Sequence, residues 1–557
     1  MQFRWNHTQG APDYDRETGF GFVTGAVYNA DAALHIPETN SGFLPLWWYA
    51  GTPISDIRQS EYGLQATAAE ALRTEDAADR RLPVWLRIQV PGEGVYRAEI
   101  TVTGTDGGEV LVFTGRRRLA WRGVLPAGAQ QIVTAYCDVF PIVPRGQADA
   151  VASDAINIAV VGGALSAVAL AEAPHTRRIW VCGDSTVTDQ TGELPYAPGT
   201  SYAGWGQMLP AYLPEVCITN HAHSGLTTES FLSEEHWAIV KPRLRAGDIC
   251  LFQFGHNDQK LAHLQARGGY TDRLRTYIKE TRTAGAVPVL ITPLARNSWR
   301  DPTHYNDFLA DFADAVLDLG KEEAVPVLDL HAYAMQLIRQ EGLETAKRWF
   351  YPGDYTHTND FGAYRMAGFV AGALGKAVGL PVADVPTWTP APPFAPLTPP
   401  KDCALPAPDT DPFADYDATR PQEVLTRAEA LELAIKALKL FPINVYNDLY
   451  ADIVGHETYA GTVQCAAQND LIPAAWVADG KLYPQRTVTA ADFLAVLMPG
   501  AAGRRPLAAP SPLPDSVPAY ARFAAGQAVA EQLISADSLN DPITRSDAAV
   551  LCRRLHI

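Results

Sequence analysis

The sequence predicts a multidomain chain: an N-terminal β-sandwich, a central α/β domain on a parallel sheet, and an all-α repeat region at the C-terminus. Three observations predict it. Short alternating apolar runs fill the stretch up to residue 172. From about 176 to 380, apolar runs alternate with helical stretches. Beyond a proline-rich segment, a threonine-opened helical pattern recurs. The 557 residues are too many for one hydrophobic core. The composition shifts place boundaries at 1–172, 173–380, a linker over 381–421, and 422–557.

In the first region, the alternation in Val84–Val90 and Val95–Val102 matches half-buried strands. Pro91-Gly92-Glu93-Gly94 joins them and reads as a hairpin turn. The apolar stretch from Ala155 to Ala171 is interrupted by Asn157, Gly162, Gly163 and Ser166, so it reads as strand material and not as a membrane span. Gly19-Phe20-Gly21-Phe22-Val23-Thr24-Gly25 lacks the glycine spacing and the following helix of a dinucleotide loop.

In the second region, apolar runs begin at Ile179, Val216, Ile249, Val287 and Val325. Helical stretches such as Tyr270–Ala284 and Tyr305–Leu319 alternate with them. This order predicts a parallel sheet with helices on both faces. The first three runs lead into Gly183-Asp184-Ser185-Thr186, Asn220-His221-Ala222-His223-Ser224-Gly225 and Gly255-His256-Asn257-Asp258. A serine, a glycine and an asparagine therefore fall at the carboxyl ends of strands, the edge where open parallel sheets bind ligands. Asp354-Tyr355-Thr356-His357 adds a histidine with an aspartate three residues before it.

These residue types are the parts of acyl transfer. Serine needs a base within hydrogen-bond reach. His357 is the candidate base, and Asp354 is placed to fix its tautomer and to stabilise the imidazolium. The backbone N–H groups of Ser185 and Gly225 and the Asn257 amide are candidates for the oxyanion hole. Each piece alone also has a structural reading: a strand-to-helix cap for Gly-Asp-Ser-Thr, a surface turn for Asp-x-x-His, a turn pair for Asn257-Asp258. Their conjunction carries the case. No Gly-x-Ser-x-Gly elbow is present. His221, His223 and His256 lie near the same edge but lack standard metal-ligand spacing, so no metal and no cofactor is expected. Asp184 and Asp258 are expected to brace loops.

The third segment is rich in proline (Pro390 to Pro408) and reads as a semi-rigid spacer. The tail repeats a helix-opening pattern at Thr426-Arg427-Ala428-Glu429, Thr489-Ala490-Ala491-Asp492 and Thr544-Arg545-Ser546-Asp547, which predicts a three-unit helical array.

The formal net charge of −17 argues against a nucleic-acid partner or an anionic membrane. Seven cysteines, an odd number with no CxxC pair, and an amino terminus without an apolar signal core point to a reducing, cytoplasmic setting. The alternative is a secreted protein whose leader is missing from this sequence.

Ser185, Gly225, Asn257 and His357 fall on the four name-giving positions of the SGNH, or GDSL, hydrolase superfamily. The match extends to Gly204–Pro210, Thr227–Phe231, Phe254–Gln259, Thr292–Arg296 and Thr356–Asn359, which resemble bacterial rhamnogalacturonan acetylesterases. The resemblance implies a flavodoxin-like α/β hydrolase domain. It also implies a carbohydrate O-acetylesterase using Ser185, His357 and Asp354, with acetylated rhamnogalacturonan (pectin) as substrate. An acetylated glycan such as xylan is the alternative substrate, and a non-catalytic polysaccharide-binding scaffold the alternative of another class. Family members commonly carry Arg after the block-two glycine, where this chain has Leu226. If that arginine reads the sugar carboxylate, its replacement weakens the case for galacturonate. The front region, with Tyr14-Asp15, Gly19–Phe22 and Val90–Tyr96, resembles a β-sandwich preceding some of these esterases. It is either a structural flank or a carbohydrate-binding module offering Trp47, Trp48 or Tyr49. The tail is similar to degenerate S-layer homology repeats, and self-association through it is the competing expectation.

Overall fold

The structure is a computed structural model of the chain; it describes residues 2–24, 55–68, 82–143, 150–190, 192, 196–261, 263–301, 304–390, 411–438, 440, 449–453, 457–502 and 506–555. Trp47, Trp48, Tyr49 and the linker prolines from Pro392 to Pro408 lie outside the described residues. The chain folds as two compact units. One comprises Met1–Asp258, His263–Asn297 and Phe308–Leu397, and the other Gln259–Ala262, Ser298–Asp307 and Thr398–Ile557.

Among the described residues, the first unit opens with eleven strands: β1 (Gln2–Asn6), β2 (Phe20–Phe22), β3 (Ser55–Ser60), β4 (Gly63–Ala68), β5 (Pro83–Gln89), β6 (Gly94–Thr103), β7 (Glu109–Thr114), β8 (Arg118–Val124), β9 (Gln130–Val139), β10 (Ala155–Val161) and β11 (Ala164–Glu172). They form two antiparallel sheets. One has the order β3-β4-β11-β6-β9, with β1 also on β11; the other has the order β2-β5-β10-β7-β8. Alternate residues of both sheets point into one core, among them Val84, Leu86 and Ile88 from β5 and Ala98, Ile100 and Val102 from β6. Pro91–Gly94 therefore does not close a hairpin. β5 and β6 belong to different sheets, and the segment carries the chain across the core between them. A crossover lets both strands turn an apolar face to the same interior.

The parallel sheet follows, with β12 (Arg178–Gly183), β13 (Cys217–Asn220), β14 (Ile249–Gln253), β15 (Val287–Ile291) and the short strand Val327–Leu328. The spatial order is β13-β12-β14-β15 and then Val327–Leu328, all parallel. The strands are almost completely buried, as expected where helices cover both faces. The first long helix, Thr271–Thr283, lies where the sequence places it. The second runs Ala310–Glu322, starting five residues later than the apolar pattern suggests, because His304–Tyr305 pairs with Trp299–Asp301 as a small ribbon. A third, Asp360–Val378, is capped by the Asn359 side chain on Gly362 N.

In the second unit, the helices Arg427–Ala437, Ala490–Ala502 and Arg545–Leu555 begin directly after Thr426, Thr489 and Thr544. Each threonine exchanges hydrogen bonds with the acidic residue three positions on: Glu429, Asp492 and Asp547. Single bridges join Val424 to Thr544, Thr426 to Thr487 and Thr489 to Pro542, tying the three helix starts together. Among the described residues no helix is long and apolar enough to cross a membrane.

Candidate active site

Ser185 follows the end of β12 in a turn held by its neighbour. The Asp184 carboxylate accepts the Thr186 N–H at 2.9 Å and the Thr186 hydroxyl at 2.8 Å. The turn is tied to β14 by Gln253, whose amide donates to Thr186 Oγ1 at 2.7 Å. Ser185 Oγ stands 2.7 Å from His357 Nε2. On the other side of the ring, His357 Nδ1 is 2.8 Å from Asp354 Oδ2. A carboxylate on Nδ1 places the proton there and leaves Nε2 to accept from the serine.

The Asp-x-x-His spacing works because it is a local turn. Asp354 Oδ1 accepts the backbone N–H groups of Thr356 at 2.7 Å and His357 at 2.9 Å, so one oxygen shapes the turn and the other holds the ring. Burial pushes the Asp354 carboxyl up, but these hydrogen bonds and the imidazole outweigh it. The net effect is a carboxyl below its ordinary range, charged at neutral pH.

Gly225 and Asn257 sit in loops anchored to the serine strand. His223 N donates to Gly183 O at 3.1 Å, which fixes the loop carrying Gly225. Gly225 has a φ of 87°, a conformation that favours glycine, and a Cβ there would meet open space. The Asn257 amide donates to Leu226 O at 2.9 Å, binding the second and third sequence blocks together. Among the described residues, the backbone N–H groups of Ser185 and Gly225 meet no protein acceptor. Donors left unpaired at the edge of a parallel sheet are available to an oxyanion.

The remaining polar residues of the blocks serve the scaffold. Asp258 is fully buried and accepts from Thr228 N at 2.8 Å, Thr228 Oγ1 at 2.6 Å and Gly255 N at 3.1 Å. Burial dominates over these bonds and pushes its carboxyl up to about 6. His256 is held between Asp184 and the Leu294 carbonyl, at 3.2 and 2.9 Å. His221 lies against Trp180, and His223 against His236, with ring centroids 5.4 and 5.6 Å apart. Burial lowers His221 well below the ordinary imidazole range, and His236 to about 4. Among the described residues no group of three or more His, Cys, Asp or Glu is placed to hold a metal ion.

Leu226 is 3% exposed and belongs to the apolar cluster that also holds Phe231, Phe254 and Tyr270. Its side chain belongs to the core, so this position does not present a group to the sheet edge.

Two aromatic residues that the sequence reading passed over stand beside the histidine. Tyr202 stacks on Tyr351 with centroids 3.6 Å apart and meets the His357 ring edge-on at 5.7 Å. Its hydroxyl is 3.5 Å from Asp354 Oδ2. No local pattern marks these tyrosines; they gain significance only through their position in space.

Residues 181–365 match the GDSL-like Lipase/Acylhydrolase family. The chain is 33% identical over 222 residues to rhamnogalacturonan acetylesterase RhgT of Bacillus subtilis (strain 168), an alignment covering 37% of this chain and 93% of that one. It is 33% identical over 215 residues to the probable rhamnogalacturonan acetylesterase YesY of the same organism, covering 37% and 95%. It is 25% identical over 368 residues to the uncharacterized esterase YxiM, also from Bacillus subtilis (strain 168), covering 64% and 82%.

Proposed function

We propose that this chain, which belongs to the GDSL-like lipase/acylhydrolase family and is a carboxylic ester hydrolase, removes acetyl groups from acetylated rhamnogalacturonan. The observation that carries the reading is the hydrogen-bonded series Ser185–His357–Asp354, at 2.7 and 2.8 Å, beside two unpaired backbone donors. Ser185 Oγ attacks the acetyl carbonyl carbon while its proton passes to His357 Nε2. Asp354 stabilises the imidazolium. The Ser185 and Gly225 N–H groups and the Asn257 amide receive the oxyanion. His357 returns the proton to the departing sugar oxygen, leaving an acetyl-serine. Water, deprotonated by His357, then releases acetate and regenerates the serine. The substrate assignment is supported by the names of RhgT and YesY.

The flanks enter the same proposal. The two N-terminal antiparallel sheets, with one shared core, support a β-sandwich that acts as a structural flank. The three threonine-capped helix starts support a three-unit repeat in the tail. Tyr520 and Phe523, 42% and 65% exposed and three residues apart on the helix Ala519–Ala530, support self-association through it. The free, buried cysteines Cys137, Cys182, Cys217, Cys250, Cys465 and Cys552 support a reducing compartment.

The test is acetate release from acetylated rhamnogalacturonan, run beside acetylated xylan and p-nitrophenyl acetate, for the parent and Ser185→Ala. Release from the pectic polymer that disappears in the variant is expected. Serine-dependent release from xylan alone would move the substrate, and release undiminished in Ser185→Ala would remove the mechanism.

A further inference from the structure

Three consecutive arginines, Arg116, Arg117 and Arg118, run from the β7–β8 turn into the start of β8, all buried. A run of basic residues on a hairpin tip is ordinarily a solvated feature. Here every guanidinium reaches into the region that holds the serine and histidine. Arg116 and Arg118 both pair with Asp189 at 3.1 Å, and Arg118 also with Asp138. They donate in addition to the carbonyls of Asn220 and Ile218 on β13.

Arg117 makes the contacts of most consequence. It is a non-glycine residue with φ of 57°, and its side chain is 0% exposed. A backbone in the left-handed region is retained only where its surroundings demand it. Its Nη1 donates to Asp360 Oδ1 at 2.7 Å, and that carboxylate is also 0% exposed. Asp360 stands three residues after His357 and accepts from Tyr196 Oη at 2.9 Å and Gly199 N at 3.2 Å. The Nη2 of Arg117 donates to the Tyr202 carbonyl. Its Nε donates to Gln190 O at 3.3 Å, and the Gln190 amide donates to Ser185 O at 2.9 Å. One side chain thus reaches the histidine turn through Asp360 and Tyr202, and the serine turn through Gln190. The histidine side is closed further by Thr358 Oγ1 on Ala203 O at 2.6 Å and by the Tyr202 ring against His357.

We infer that Arg117 is a positioning residue: the N-terminal sheets insert it to set the distance between the Ser185 turn and the His357 turn. The inference rests on the assignment of Ser185 and His357 as nucleophile and base. Guanidinium is suited to the task because its donors are fixed in one plane and point to separate acceptors. A lysine at the same place keeps the charge opposite Asp360 but has one nitrogen for three contacts.

The experiment uses the full chain as the parent, Arg117→Lys, Arg117→Gln and Ser185→Ala. Reactive serine is counted by the p-nitrophenolate released when its oxygen displaces that group from diethyl p-nitrophenyl phosphate. Turnover of p-nitrophenyl acetate is then expressed per reactive site. Arg117→Lys is expected to lower kcat per site about 10- to 100-fold, the scale of a small misplacement of reacting groups, with KM within about twofold. A folded Arg117 variant, by circular dichroism, that has lost its reactive serine altogether supports the inference equally. The inference is overturned if the variants lose sites and activity in proportion with turnover per remaining site unchanged, or if they are simply unfolded, since either result makes the contact structural only. Ser185→Ala separates the two levels: if it keeps both titration and turnover, the underlying assignment fails, whereas an inactive Ser185→Ala beside parent-like Arg117 variants removes the positioning role alone.

Discussion

Ser185 Oγ and His357 Nε2 meet at 2.7 Å although 172 positions separate them in the chain. The serine turn is set by Asp184 and the histidine turn by Asp354, each through hydrogen bonds within three residues. Two locally determined turns are thereby brought face to face, and the consequences of disturbing either can be stated separately.

Asp354→Asn should leave the turn intact, because the amide oxygen still accepts from Thr356 N and His357 N. The amide nitrogen facing Nδ1 imposes the wrong tautomer, so Nε2 carries a proton and cannot accept from Ser185. A fall in kcat of about 10²- to 10⁴-fold with unchanged thermal unfolding is expected. Steady-state kinetics on p-nitrophenyl acetate and a melting curve check it.

Asn257→Ala removes the proposed oxyanion donor and also the bond to Leu226 O. The expected rate loss is about 10²- to 10³-fold. The lost hydrogen bond adds a destabilisation of about 1 kcal/mol, read from the urea midpoint. A variant losing stability alone would take Asn257 out of the reaction.

Asp258 gives a pH dependence of definite sign. Its carboxyl is raised by burial to about 6, against 3.8 as the ordinary value. Between these values the folded protein holds a proton that the unfolded chain releases, so stability falls as pH rises through that window. The total is about 3 kcal/mol, from roughly two units at 1.36 kcal/mol each. In Asp258→Asn the titration is absent. The difference in unfolding free energy between parent and variant should therefore shrink between pH 4 and 6 and stay constant above, which urea titrations at several pH values will show.

Leu226→Arg places a guanidinium in an apolar cluster with Phe231, Phe254 and Tyr270. The expected result is a loss of about 3–5 kcal/mol of stability and no gain of preference for an acidic sugar. Unfolding curves, with acetate release from galacturonate-containing and neutral acetylated polymers, decide it. A stable variant with improved pectic activity would restore this position as a reader of the substrate.

Thr426→Ala removes one of the three helix caps in the tail, where Thr426 and Glu429 satisfy each other's backbone N–H groups. A cost of about 1 kcal/mol is expected in the unfolding of that unit, with esterase turnover unchanged.

The sequence by itself determined what depends on neighbours in the chain. The apolar runs at Ile179, Ile249 and Val287 are strands because a buried parallel strand needs an unbroken apolar segment. Asp354 and His357 face one another across a single turn, and the threonine caps open helices for an equally local reason. Tertiary structure decided what depends on partners distant in sequence. Pro91–Gly94 looks like a hairpin turn, yet each flanking strand has its partners in a different sheet. Leu226 occupies a position next to the Gly225 turn, yet packing directs it into the core. Arg117 stands in a run of three arginines, and Asp360, its partner 243 residues away, opens a helix. Neither has a reason to be buried alone. Removed from water, each charge requires the other, and only the folded chain places them 2.7 Å apart.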